Sequence, residues 1–160
     1  MVKHARNVFV KERINYTAFF TLCDKMKLKT IKNKFKEKDY KIKIVSPEFT
    51  CLCPDKPKQP DFATISITYI PNEYLIELKS LKFYFVSYRD KEIYHETATN
   101  KILKDLVERI EPRYMKVRGD WNVRGGISTI VETEYVDEEW ERDPDSIEVM
   151  STEETSLSNR

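Results

Sequence analysis

The chain of 160 residues has room for one domain with tails, and an apolar share of 40% supports a modest two-layer core. Its formal net charge of +1 hides an asymmetry: residues 137–160 hold nine acids against two arginines, so residues 1–136 carry +8 and the tail −7. No apolar run approaches the ~20 residues a membrane-spanning helix needs, and a basic body suits a polyanionic ligand, whether nucleic acid or a phosphorylated cofactor.

Residues 1–15 show no clear period and read as an arm. The opening Met-Val-Lys-His-Ala-Arg is polar, without an apolar h-region, so a soluble, cytoplasmic, thiol-reduced protein is the expectation. Phe19, Phe20, Leu22 and Met26 make a weak helical or docking segment over 16–28, with Cys23 as a packed thiol. The lysine-dominated residues 29–39 read as a solvated connection. Tyr40, Ile42 and Ile44 alternate with Lys41 and Lys43, the period of a half-buried strand.

Residues 49–62, Phe-Thr-Cys-Leu-Cys-Pro-Asp-Lys-Pro-Lys-Gln-Pro-Asp-Phe, read as a loop stiffened by Pro54, Pro57 and Pro60. It is either a proline-rich connection with one buried thiol or a site in which Cys53 supplies a nucleophile and Asp61 carries a proton. Ala63, Ile65, Ile67 and Tyr69 alternate with Thr64, Ser66 and Thr68 in a second strand, closed by Pro71-Asn72. Residues 74–89 mix aromatic strand signals with a helical stripe of Leu78, Leu81, Phe85 and Tyr88; the reading is an extended piece to Glu77 and a helix from about Ser80.

The clearest helix spans 93–110, with Ile102, Leu103, Leu106, Val107 and Ile110 in one stripe, Pro112 as its stop, and His95 and Glu96 in its first turns. Tyr114, Lys116 and Arg118 alternate with Met115 and Val117 in a third strand. Arg124-Gly125-Gly126 is a sharp turn, and Ile127 to Val136 a fourth strand. The acidic tail reads as disordered beyond about Asp143. The order strand, strand, helix, helix, strand, strand gives an α+β domain with helices on one face of an antiparallel sheet, and oligomerisation would cover the other face and the edges.

Several chemistries are not supported. Beyond the Cys51-x-Cys53 pair, only His4 and His95 could complete a zinc set, and the spacing is wrong for one, so no metal is expected. There is no G-x-G-x-x-G or Walker pattern. Glu96 at a helix start gains from the dipole without any function. Lys79 and Lys82, three apart, share a helical face and with Arg124 could clamp phosphates, although lysines so spaced are usually only solvated.

Taken together, four ordered motifs resemble one family. Pro-Glu-Phe-Thr-Cys-Leu-Cys-Pro (47–54) with Gln-Pro-Asp-Phe-Ala-Thr-Ile (59–65), then Glu-Leu-Lys-Ser-Leu-Lys-Phe-Tyr (77–84), Tyr-His-Glu (94–96) and Arg-Gly-Gly-Ile (124–127), look like the signatures of the 7-cyano-7-deazaguanine reductases, the nitrile reductases of queuosine biosynthesis. The resemblance covers about residues 40–130. It implies the tunnelling fold shared with GTP cyclohydrolase I, ββααββ subunits in pentameric rings, often stacked as a decamer, with the site between subunits. On this resemblance residues 1–39 are an arm and basic connection, 40–136 the catalytic domain and 137–160 the tail.

The same resemblance implies that Cys53 attacks the nitrile carbon of a free base to form a covalent thioimide, and that two hydrides from NADPH give the aminomethyl product. Asp61 is then the proton donor, and Glu96 with His95 holds the deazaguanine edge. Ile76, Glu77 and Leu78 line the base pocket, while Lys79, Lys82 and Arg124 contact NADPH phosphates. No direct nucleic-acid partner is expected. The chain departs from the family in having Cys51 where Ser is common, and Asp-Lys-Pro-Lys in a loop one residue longer before Gln-Pro-Asp. Two other readings are an amidinotransferase resembling the archaeosine-forming relatives, which lack the cofactor motif, and a non-catalytic RNA-binding module.

Overall fold

The computed structural model describes residues 28–56 and 58–140. The arm, the segment expected over 16–28 except its last residue, with Cys23, and His4, Pro57 and the acidic tail from residue 141 lie outside these residues. In chain order the elements are β1 (Thr30–Lys32), β2 (Ile42–Leu52), β3 (Pro60–Ile70), β4 (Tyr74–Ile76), α1 (Leu78–Val86), α2 (His95–Ile110), β5 (Tyr114–Arg124) and β6 (Ile127–Val136). Four long strands form an antiparallel sheet in the order β2-β3-β5-β6, and β1 pairs with β4 in a small second sheet. The expected α+β order holds, with helices inserted between the two hairpins.

Alternation places one set of side chains under the helices. Phe49, Cys51, Ala63, Ile65, Ile67, Tyr69, Met115, Val117 and Trp121 are buried there, against Ile102, Leu106 and Ile110 of α2 and Leu81 and Phe85 of α1. Each such aliphatic side chain contributes about 1.5–3 kcal/mol when taken out of water. The opposite sheet face carries Lys43, Thr68, Lys116, Arg118, Glu132 and Glu134, with Val45, Phe62 and Ile130 half or more exposed.

The phase of this alternation is reset twice. Ile42, Ile44 and Ser46 pair with Tyr69, Ile67 and Ile65; past a register shift between Ser46 and Phe49, Phe49 and Cys51 pair with Ala63 and Asp61. The extra residue falls at Pro47-Glu48, where proline has no N–H to offer a ladder. Without it Phe49, Cys51 and Cys53 would point away from the helices. A second shift lies between Trp121 and Arg124, next to the Gly125-Gly126 turn, whose φ values of 58° and 80° only glycine adopts freely.

Four element expectations are corrected. The connection expected over 29–39 contains β1, and Asn33 is buried with its side chain bonded to Asn72 O and to Tyr40 Oη. The loop expected over 49–62 is strand at both ends, because the ladder continues through Cys51–Asp61 and Leu52–Pro60; only residues 53–59 are loop. The third strand runs on to Arg124. Helix α1 starts at Leu78 rather than about Ser80, because the Glu77 carboxylate caps it, accepting from Lys79 N at 2.9 Å and Ser80 N at 2.7 Å.

Those bonds, from Ser80 first and Lys79 second, hold the Glu77 carboxyl below the usual range. A carboxyl depressed by folding stabilises the native state above its unfolded value and loses that contribution as pH falls through the folded one. Acidification below roughly pH 4.3, the ordinary glutamate value, therefore removes the cap. Urea midpoints at neutral and acid pH check this: Glu77→Ala is less stable than the parent at neutral pH, and the gap narrows in acid.

Candidate active site

The site grows from the ends of β2 and β3. Cys51 and Asp61 sit directly opposite each other, and Cys53 N donates to Gln59 O at 3.0 Å, extending the ladder by one step. Residues 51, 53, 59 and 61 thus share the helix-covered face, with Cys53 and Asp61 as diagonal neighbours. Near the loop's end Lys58 takes φ 78° and Gln59 N donates to Lys56 O.

The two sulfurs differ. Cys51 is fully buried, its thiol 3.7 Å from Ile93 O, and burial pushes it up to about 12, with the charges of Asp61 and Cys53 adding and Arg124 opposing. It stays a neutral thiol at physiological pH. Cys53 is half-buried, and both thiols are free.

Segment 91–93 carries α2 to the same place. Leu52 N donates to Lys91 O and Ile93 N to Leu52 O, at 2.9 and 3.0 Å, and Tyr94 Oη donates to Asp55 Oδ1 at 2.9 Å. These bonds stitch the entry of α2 to the cysteine loop and set His95 over the sheet. Its imidazole stacks on the Trp121 indole, centroids 3.9 Å apart and planes 7° from parallel. His95 Nε2 lies 3.4 Å from Asp61 Oδ2, while Arg124 Nη2 lies 2.7 Å from Asp61 Oδ1 and also donates to Pro60 O. The Asp61 side chain is 6% exposed. A carboxylate so enclosed needs charged partners, and here it has an arginine and a histidine. Trp121 Nε1 and Arg124 Nη1 are buried without a partner, two donors that a ligand acceptor would complete.

Cys53, Asp61, His95 and Arg124 of the expected set are therefore brought together. No side-chain hydrogen bond, ion pair or ring contact among the described residues joins the others to them. Glu96 is exposed on the next helical position, on the side of α2 that carries Asn100 and Lys101. Ile76 is buried beside Tyr69, Glu77 is the cap of α1, and Leu78 is 62% exposed. Leu78 and Lys82 border a groove of about 270 Å³ between α1 and β2, with Val45, Pro47, Phe85 and Arg89. Lys79 and Lys82 are exposed. Arg124, expected at a phosphate, is on Asp61.

Trp121 was not among the expected site residues. The available signal was Gly119-x-Trp121: a Cβ at Gly119 would stand 2.8 Å from both Thr99 Oγ1 and Trp121 Nε1, so the glycine makes room for the indole beneath His95.

Comparison with known proteins identifies the family. The family described as QueF-like protein matches residues 60–140. The NADPH-dependent 7-cyano-7-deazaguanine reductase of Halorhodospira halophila is 56% identical over 108 residues, 68% of this chain and 91% of that protein. The chain belongs to the 7-cyano-7-deazaguanine reductase family. The Nitrosococcus oceani member of that family is 51% identical over 114 residues, 71% of this chain and 88% of its own. Among solved structures, the apo archaeosine synthase QueF-Like superposes with a TM-score of 0.52 at 26% identity, covering 59% of this chain and 90% of that one. The fold is the tunnelling fold.

Two outcomes check the site. Brief iodoacetamide treatment of the native protein, read by peptide mass, alkylates Cys53 and spares Cys51 until denaturant is added; equal labelling contradicts the assignment. Gly119→Ala lowers unfolding free energy by about 1–3 kcal/mol, measured by urea titration, because Thr99 or the indole must move.

Proposed function

We propose that this protein is an NADPH-dependent nitrile reductase that converts the free base 7-cyano-7-deazaguanine to 7-aminomethyl-7-deazaguanine, in the cytoplasm and in queuosine biosynthesis. The observation that carries the reading is the separation of the two thiols: Cys51 is sealed and neutral, while Cys53 is accessible and diagonal to a buried, ion-paired carboxylate.

A nitrile is a weak electrophile, and covalent capture divides a hard reduction into easier steps. The Cys53 sulfur bonds to the nitrile carbon, and one C–N π pair moves to nitrogen. Asp61, held by Arg124, receives the thiol proton and passes it to that nitrogen, giving a thioimide with no net gain or loss of protons. His95, stacked and within 3.4 Å of Asp61, is placed to restore protons during later steps and, with Glu96, to hold the base edge.

NADPH, when bound, supplies the hydrides. The chain offers it Lys79 and Lys82, exposed on α1 beside the groove and free of ion pairs among the described residues, a donor set that fits phosphate. Cys53 lines neither the α1 groove nor the surface that carries Glu96, and nothing among the described residues covers the outer sheet face. A homo-oligomeric ring, pentamer or stacked decamer, that completes the site between subunits supports both observations. No helix among the described residues is long and apolar enough to cross a membrane.

The similarity to an archaeosine synthase favours one second reading, ammonia addition to a nitrile on tRNA. Residues 77–84, with both lysines, weigh against it.

Mixing the protein with 7-cyano-7-deazaguanine and following NADPH absorbance tests the reading, with adduct mass as a second readout. Cys53→Ala loses adduct and turnover, Cys51→Ser keeps both, and Asp61→Asn slows turnover about 10²–10⁴-fold. Ammonia-dependent modification of nitrile-bearing tRNA without NADPH oxidation would establish the second reading instead.

A further inference from the structure

We propose that Arg124 is a positioning residue for Asp61 in the covalent-capture step, and not a contact to a cofactor phosphate. The proposal rests on the reductase reading above and concerns how its carboxylate is held.

Three independent features converge on it. The first is the register. Trp121 faces the helices, and strict alternation would send residue 124 to the opposite side of the sheet. One additional residue in β5 between Trp121 and Arg124 restores the phase, so that Arg124 pairs with Ile127 and emerges beside Asp61. Bulges of this kind re-aim a side chain at a site.

The second is a shared donor. One guanidinium nitrogen meets both the Asp61 carboxylate, at 2.7 Å, and the carbonyl of Pro60, so the side chain and backbone of consecutive residues are gripped together. The planar group is held edge-on by these two contacts, and its other terminal nitrogen is buried without a partner. With Oδ1 taken by Arg124, Oδ2 is left on the His95 side.

The third is the contrast in burial. Asp61 is 6% exposed on its side chain, so an arginine that left for a phosphate would strand a buried anion, which is strongly unfavourable. Lys79 and Lys82 are exposed and can meet a phosphate without that penalty. Nothing stands within 4 Å of a Cβ built on Gly125 or Gly126 in the turn beyond Arg124. The contacts of Arg124 to Asp61 and Pro60 O link the β5–β6 hairpin tip to the start of β3.

The consequence is that Arg124 governs how fast the Cys53 adduct forms, through the orientation of the carboxylate that accepts the thiol proton. It follows that nucleotide affinity is independent of it.

The test omits the cofactor. The rate of adduct formation with 7-cyano-7-deazaguanine is followed by mass in wild type, Arg124→Gln, Arg124→Lys, Asp61→Asn and the Asp61→Asn/Arg124→Gln double variant, and NADP⁺ affinity is measured separately by calorimetry. Expected are a loss of about 10–100-fold for Arg124→Gln, partial recovery in Arg124→Lys, and a further change of less than about twofold when Arg124→Gln is added to Asp61→Asn. NADP⁺ affinity stays at the wild-type value. Losses that multiply in the double variant overturn the proposal, as does a wild-type adduct rate in Arg124→Gln, whatever its NADP⁺ affinity. A fall in NADP⁺ affinity in Arg124→Gln also overturns it. If Arg124→Gln does not fold, Arg124→Lys, which keeps the charge and loses the planar guanidinium, replaces it in the same cycle. Absence of any adduct in the wild type overturns the reductase reading itself, whereas the other outcomes leave that reading standing.

Discussion

In an extended chain each residue faces the opposite way from its neighbour, so a one-residue slip exchanges the inside of a sheet for its outside. The candidate site depends on two such slips. The one at Pro47-Glu48 carries Phe49, Cys51 and, one step further, Cys53 to the face covered by α1 and α2. The one before Arg124 brings a guanidinium to the same face. Cys53 and the arginine are therefore positioned by where the ladder is interrupted, while Asp61, Ala63 and Ile65 on the unbroken central strand β3 supply the reference.

Much of the fold was legible because the core repeats with simple periods. The alternation of Ala63 to Tyr69 and the stripe of Ile102, Leu106 and Ile110 are local patterns, and both elements stand where those patterns put them. The slips were not legible, since alternation before and after Pro47 reads as two unrelated fragments and the residues between them as loop. The start of α1 was hidden for another reason: its cap is a glutamate, which is not a favoured capping type, and its role depends on reaching two backbone N–H groups beyond it. Cys53, Asp61 and His95 were legible as residue types in motifs. The destination of Arg124 and the stacking of Trp121 on His95 were not, because they arise from pairing between segments about 60 and 26 residues apart.

The electrostatics follow from the same packing. One carboxylate is buried with an arginine and a histidine within reach, while the Cys51 thiol is buried so deeply that desolvation outweighs the opposing Arg124 charge and keeps it neutral. A Phe49-centred aromatic group, with Phe85, Tyr88 and Trp121 rings 5.2–5.8 Å away, walls this region off beneath the sheet. Rigid surroundings of this kind keep donors and acceptors from drifting.

The seam between Leu52 and residues 91–93 also makes the two borders of the main sheet unequal. At β2 the last residue, Leu52, is already occupied from within the chain, and the rest of that edge has no strand partner among the described residues; at β6 the described length is open throughout. Strand-to-strand addition between identical copies then has a built-in polarity, in which a full-length margin meets a shortened one, and self-pairing of like margins is not the only geometry available. Unlike margins that meet head to tail generate closed circles when the rotation per copy divides a full turn, and open fibres when it does not.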